Sequence, residues 1–251
     1  FPLSTDFSVL NVLRYPSFRI IMAAATAMAL TLFLYPWLIR RLQIFKFGQE
    51  VRKEGPEAHL KKQGTPTMGG VLVIIAVVIS TVLWADAGHR GVWLLLMVLV
   101  GYGAIGFYDD YKKIKYKDPA GLSGRWKLFW QTTIGAVAIL GYWQGYADVP
   151  FTTGLVIPFV AADVYQPELP VWLYLPFALV IIVGTSNAVN LTDGLDGLAI
   201  VPVMIAAASY GLIVYLVGNA VFSDYLQIHF VRGTGELAIV CGAILGAGLG
   251  F

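Results

Sequence analysis

Two adjacent aspartates, Asp109 and Asp110, stand where an apolar run gives way to a basic one, in the stretch 106–117 (GFYDDYKKIKYK). Carboxylates at the edge of a membrane span are costly to desolvate, so their presence points to use. With Lys112, Lys113, Lys115 and Lys117 directly after them, the use that fits is a divalent cation together with a phosphorylated ligand. Neighbouring helical residues point about 100° apart. The pair is therefore expected to divide its labour, one carboxylate toward Mg2+ and the other accepting a proton or orienting a nucleophile. The alternative is ion pairing with lysines at a solvated helix end. It carries a penalty of about 0.3–1 kcal/mol per acid, because acids at a helix C-terminus oppose the macrodipole.

Two further polar clusters have the composition of a ligand site. In residues 59–70 (HLKKQGTPTMGG), Gly64, Gly69 and Gly70 allow close backbone approach, while Lys62, Thr65 and Thr67 offer donors to phosphate oxygens. The same residues would also serve as a turn that starts a helix, with Thr67 as its cap. In residues 187–197 (NAVNLTDGLDG), Asn187, Asn190, Asp193 and Asp196 recur at intervals of three, a spacing that stacks them on one helical face. Gly194 and Gly197 would bend that helix into a loop around a ligand. Carboxamides suit the edge of a base or sugar, and carboxylates suit a metal or sugar hydroxyls.

The elements that position these clusters are membrane spans. Of the 251 residues, 58% are hydrophobic and 13% charged, with mean hydropathy +0.73; a soluble domain would carry about a quarter charged residues. Seven apolar runs, at 20–39, 71–85, 92–108, 128–146, 172–188, 198–217 and 237–251, predict seven transmembrane helices, since a helix crossing the hydrocarbon needs roughly 20 mostly apolar residues and lipid tolerates no exposed irregular backbone. The fold class expected is an all-α polytopic membrane protein in a single integral membrane domain, 1–251. The last run ends at Phe251 without a polar flank, which leads us to expect truncation at the C-terminus. Thirteen of the 17 basic residues lie in two alternate loops, 40–66 and 109–127; by the positive-inside bias these face the cytoplasm, and counting crossings places 187–197 there as well. The β-branched and aromatic segment 147–171 predicts a short hairpin on the opposite surface. The lone Cys241 forms no disulfide within the chain.

Three stretches, 64–70 (GTPTMGG), 106–113 (GFYDDYKK) and 187–198 (NAVNLTDGLDGL), together with 47–49 (FGQ), 55–57 (GPE), 125–127 (RWK) and 246–251 (GAGLGF), carry a resemblance to the phospho-N-acetylmuramoyl-pentapeptide transferases. These belong to the polyprenyl-phosphate N-acetylhexosamine-1-phosphate transferase superfamily. The resemblance implies an Mg2+-dependent enzyme of peptidoglycan biosynthesis in the bacterial cytoplasmic (inner) membrane, with its active site on the cytoplasmic face. Its substrates would be undecaprenyl phosphate and UDP-MurNAc-pentapeptide, and its products lipid I and UMP. By motif position it implies Asp109, Asp110 and Lys113 as catalytic residues, with Asp109 and Asp110 also toward the metal. Lys62, Thr67, Asn187, Asn190, Asp193 and Asp196 would bind substrate. It further implies a homodimer, a ten-helix parent of which this is a fragment, and a principal magnesium ligand beyond Phe251, in an FMGD-type motif. No nucleic-acid partner is expected.

Two rivals differ in substrate or class. A sister enzyme transferring GlcNAc-1-phosphate would share the same motifs. A transporter would place its polar groups near the midplane of its spans, whereas here the acids gather at one interface.

Overall fold

A computed structural model of the chain describes residues 8–44, 68–116, 121–146, 153–157, 159–160, 164–192 and 198–251. Each of the seven apolar runs lies on a helix: α1 (Pro16–Ile44), α2 (Gly70–Trp84), α3 (Arg90–Tyr116), α4 (Gly124–Tyr146), α5 (Val171–Thr192), α6 (Ile200–Val217) and, after the short α7 (Ala220–Tyr225), α8 (Leu237–Gly250). Four of these are long and apolar enough on their own to cross a membrane, over Pro16–Leu42, Arg90–Tyr116, Val171–Thr192 and Ile200–Val217. The α2 helix and the segment Thr234–Gly250 are shorter apolar helices. The chain is a multi-pass, all-helical membrane protein, and α5, for example, buries none of its residues within the protein.

The helices overrun the apolar runs that announce them. The α3 helix continues through Asp109 to Tyr116, because the polar residues there are competent helix formers and Lys113 pairs with Asp109 at i,i+4. Two of the three polar clusters thus begin on rigid helix.

The core centres on α8, which packs on α1, α2, α3 and α6. Lipid tails are as apolar as leucine, so helices in a bilayer associate through close packing of small residues. Gly242, Gly246 and Gly250 recur every four residues along α8. A side chain at Gly246 would strike the Ala24 backbone of α1, and one at Gly242 would approach the Ile20 carbonyl at 2.9 Å. Ala23, Ala27, Ala76, Val77, Val92, Ile239, Ala243 and Ala247 complete this seam.

At the end of the bundle away from Asp109, a charged clasp crosses the seam. Arg19 of α1, 5% exposed, donates to both carboxylate oxygens of Glu236, at 2.7 and 2.5 Å. It also donates to the Trp84 carbonyl. Glu236 in turn accepts from the Asp86 amide at 2.9 Å.

The hairpin expected in 147–171 is present in minimal form. Gly154 and Glu168 make one antiparallel bridge, flanked by Leu155 N–H to Pro167 O and Leu169 N–H to Thr153 O. Pro167 and Pro170 have no N–H to extend a ladder. A bond between His229 Nε2 and Gln166 Oε1, 3.0 Å long, ties this segment to the chain after α7.

Removing one member of a buried, hydrogen-bonded ion pair leaves the other charge uncompensated, a loss of about 3–5 kcal/mol. Glu236→Ala should therefore lower the thermal unfolding midpoint in detergent sharply, and the double variant Arg19→Met/Glu236→Leu should recover most of it. An undiminished midpoint in Glu236→Ala would show that the clasp is dispensable.

Candidate functional site

The site is built where α3 ends and α4 begins. Asp109, with its side chain 14% exposed, has both oxygens engaged: Oδ2 accepts from Lys113 Nζ at 2.6 Å and Oδ1 accepts from the Leu122 amide at 2.7 Å. Lys112 Nζ donates to the Gly121 carbonyl at 2.7 Å. The chain entering α4 is thus bonded back onto the last turns of α3. Gly121 makes this possible. Its φ of +62° lies in the left-handed region, and a Cβ there would strike Asp109 Oδ1 and come within 2.7 Å of Lys113 Cε. Glycine alone meets both conditions at low cost.

Asp110 differs from its neighbour. Its side chain is 38% exposed, and Lys113 Nζ stands 3.6 Å from its Oδ1, beyond hydrogen-bonding distance. The Lys113 ammonium therefore bridges a carboxylate bonded at both oxygens and a more open one. Lys127, in the first turn of α4, is close enough to act electrostatically on both. Lys115 turns away and lies over the rings of Tyr111 and Tyr116, at 5.2 and 5.6 Å.

The amide end of α5 joins from the other side. Asn187 Nδ2 donates to Gln131 Oε1 at 2.9 Å, and Gln131 sits one turn along α4 from Lys127, about 6 Å of rise. Asn190, three residues further on, is exposed. The structure therefore gathers Asp109, Asp110, Lys113 and Asn187 at one end of α3, α4 and α5. Lys62, Thr67, Asp193 and Asp196 lie outside the described residues. Gly121 and Gln131 belong to this assembly although sequence reasoning did not single them out, and Lys127 joins it from the RWK stretch that helped carry the resemblance. For Gln131 the available signal was a lone amide inside an apolar run.

Among the described residues no three His, Cys, Asp or Glu side chains group together. The aspartate pair still suits Mg2+, which is commonly held by one or two carboxylates plus substrate phosphates and water. Among the described residues Asp110 has only the 3.6 Å ion pair to Lys113, which leaves it the more available of the two, and Asp109 is held in bonds to the protein.

Comparison with known proteins decides the family. Residues 92–251 match the profile of glycosyl transferase family 4. Residues 62–74 match the phospho-N-acetylmuramoyl-pentapeptide-transferase signature 1. The chain is 51% identical over 253 residues to the phospho-N-acetylmuramoyl-pentapeptide-transferase of Citrifermentans bemidjiense. It is 51% identical to that of Geobacter sp. strain M21 and 50% identical over 252 residues to that of Pelobacter propionicus. The alignments take in 100% of this chain and 68% of each relative. The chain belongs to the phospho-N-acetylmuramoyl-pentapeptide transferase family. The glycosyl transferase match contains α4, α5 and all of α3 but its first two residues, and the signature spans Met68, which enters α2 with φ at +75°.

The Gly121 contact has a structural readout. Gly121→Ala should unseat the loop from Asp109 and Lys113, speeding tryptic cleavage at Arg125 and Lys127 several-fold while shifting the global unfolding midpoint by at most about 1–2 kcal/mol equivalent. Unchanged proteolysis would mean that the loop does not depend on this close approach.

Proposed function

We propose that the protein transfers phospho-MurNAc-pentapeptide from UDP-MurNAc-pentapeptide to undecaprenyl phosphate. The lipid phosphate oxygen attacks the β-phosphorus of the nucleotide, a new P–O bond forms, the bond to the bridging oxygen breaks, and UMP leaves with lipid I as the other product. The observation that carries this reading is the open carboxylate Asp110 beside the Lys113 ammonium at the membrane edge, in a chain half identical to named transferases. The cytoplasmic face of the inner membrane is the expected place for it, from the basic loops that flank the site.

An anionic nucleophile must approach an anionic electrophile, so the site has to supply positive charge in a fixed position. Lys113 does so. It is anchored by Asp109 at 2.6 Å, which leaves its remaining donors for phosphate oxygens. Lys127 adds a second cation from α4. When bound at Asp110, Mg2+ would neutralise the diphosphate further and orient it. Asp109 is the anchoring carboxylate, joining Lys113 to the loop at Leu122. Asn187, Asn190, Lys62, Thr67, Asp193 and Asp196 are assigned to substrate by their motif positions.

The test is UMP release by the full-length protein in detergent, with undecaprenyl phosphate, Mg2+ and either UDP-MurNAc-pentapeptide or UDP-GlcNAc. Release with the muramyl substrate alone, abolished by EDTA, is expected. Release with UDP-GlcNAc would move the protein to the sister activity. Asp110→Asn should cut turnover by about 10²-fold or more with insertion and midpoint intact. Asp109→Asn should lose a similar factor and also loosen the loop at Leu122. Near-normal turnover in both variants would remove the aspartates from the mechanism.

A further inference from the structure

Asn187 is held by two hydrogen bonds that leave from the same atom. Its Nδ2 donates to the Val183 carbonyl at 2.8 Å and to Gln131 Oε1 at 2.9 Å. The two ends of a carboxamide have nearly the same shape, so the partners must assign them. A main-chain carbonyl only accepts, which places the amino group of Asn187 on the Val183 side. The Gln131 atom facing that amino group must then be an acceptor, so the glutamine is assigned as well. An amino group has two hydrogens, and here both are engaged. What remains for a ligand is Asn187 Oδ1, an acceptor.

Gln131 is itself set among three helices. It is 3% exposed, and its main-chain carbonyl accepts from the Tyr102 hydroxyl of α3 at 2.9 Å. One turn along α4, Gly135 lets Leu179 of α5 come so near that a Cβ would lie 2.9 Å from it. The near atom is Leu179 Cδ1, so α5 side chains fill the space that Gly135 leaves one turn from the paired amides.

We propose that Gln131 is a positioning residue: it turns Asn187 into an acceptor-only contact for a hydrogen-bond donor, an N–H or hydroxyl, on the bound uridine nucleotide. This rests on the transferase reading given above. Without the Gln131 acceptor, the Asn187 amide keeps its bond to the Val183 carbonyl, and its second N–H is freed to set a donor against the ligand's donor.

Two substitutions separate orientation from packing. Leucine suits apolar surroundings and brings no charge, so if position 131 only packs, Gln131→Leu should function at least as well as Gln131→Glu. If the acceptor at 131 matters, the order reverses, because glutamate keeps an oxygen against Asn187 Nδ2. In the full-length protein we expect Gln131→Leu to raise KM for UDP-MurNAc-pentapeptide about tenfold with kcat within about twofold. Gln131→Glu should lie nearer the parent. Adding Gln131→Leu to Asn187→Ala should cost nothing further, since the glutamine acts through the asparagine. An unchanged KM in Gln131→Leu, a leucine variant better than the glutamate one, or additive losses in the double variant would each overturn the proposal. Calorimetric binding of UDP alone, which needs no turnover, should follow the same order. A parent that binds UDP in that order but releases no UMP keeps the positioning role and removes the reaction. A parent that binds no UDP overturns both.

Discussion

Asp109 carries the joint on which the polar end of the molecule depends. Its two oxygens take an ammonium from its own helix and a main-chain amide from the chain entering the next one. Bonds of this kind, with a charged acceptor, are short and stronger than neutral ones. Because Leu122 is fixed to α3, the start of α4 is fixed too, and every residue that α4 presents inherits that position. Lys127 then comes near both aspartates, and Gln131, one turn on, meets Asn187 of α5. The order of assembly is thus from carboxylate to loop to helix to neighbouring helix. A change at Gly121, which has no polar side chain, reaches the chemistry through this joint.

The other half of the bundle is held by different physics. In lipid there is little gain from hiding one apolar helix against another, so α1 and α8 associate through surfaces that fit. The glycines of α8 at intervals of four bring its backbone against that of α1. The Arg19–Glu236 clasp fixes the two helices against sliding, since a shift of one turn would leave both charges unpaired in a poor solvent. The short α2, about 22 Å long at 1.5 Å per residue, is nonetheless deeply packed, with Leu72, Ala76, Val77, Ser80 and Thr81 buried. The rigid half therefore supports the site half without contributing its acids.

The spans were legible in the sequence because a membrane demands long apolar runs and little else satisfies the backbone there. The ends of the helices were not. Hydropathy falls at Asp109, yet helical hydrogen bonding continues to Tyr116, and the i,i+4 pairing of Asp109 with Lys113 supports the extension. That the two aspartates would differ followed from their angular separation. Which one would be saturated did not, because the decision belongs to Leu122, a residue 13 positions away with no polar side chain to announce it. Gln131 was hidden for a related reason. Averaged over an apolar run, one amide barely lowers the hydropathy, and its meaning appears only when α5 brings Asn187 to it.

In a protein that must satisfy its polar groups internally, the groups left open carry the information. Asp109 is bonded at both oxygens, and Asp110, next to it, has among the described residues only a 3.6 Å ion pair; both N–H groups of Asn187 are engaged, and its oxygen takes no hydrogen bond from the described residues. In Asn187 the two groups share one carboxamide, so its oxygen is aimed by bonds that do not involve the ligand. This arrangement lowers the entropy lost on binding, because the rotamer is already chosen. It also explains why the free groups sit at the polar end of the bundle. An unsatisfied oxygen deep in hydrocarbon would cost several kcal/mol, whereas Asp110, with more than a third of its side chain exposed, lies within reach of solvent.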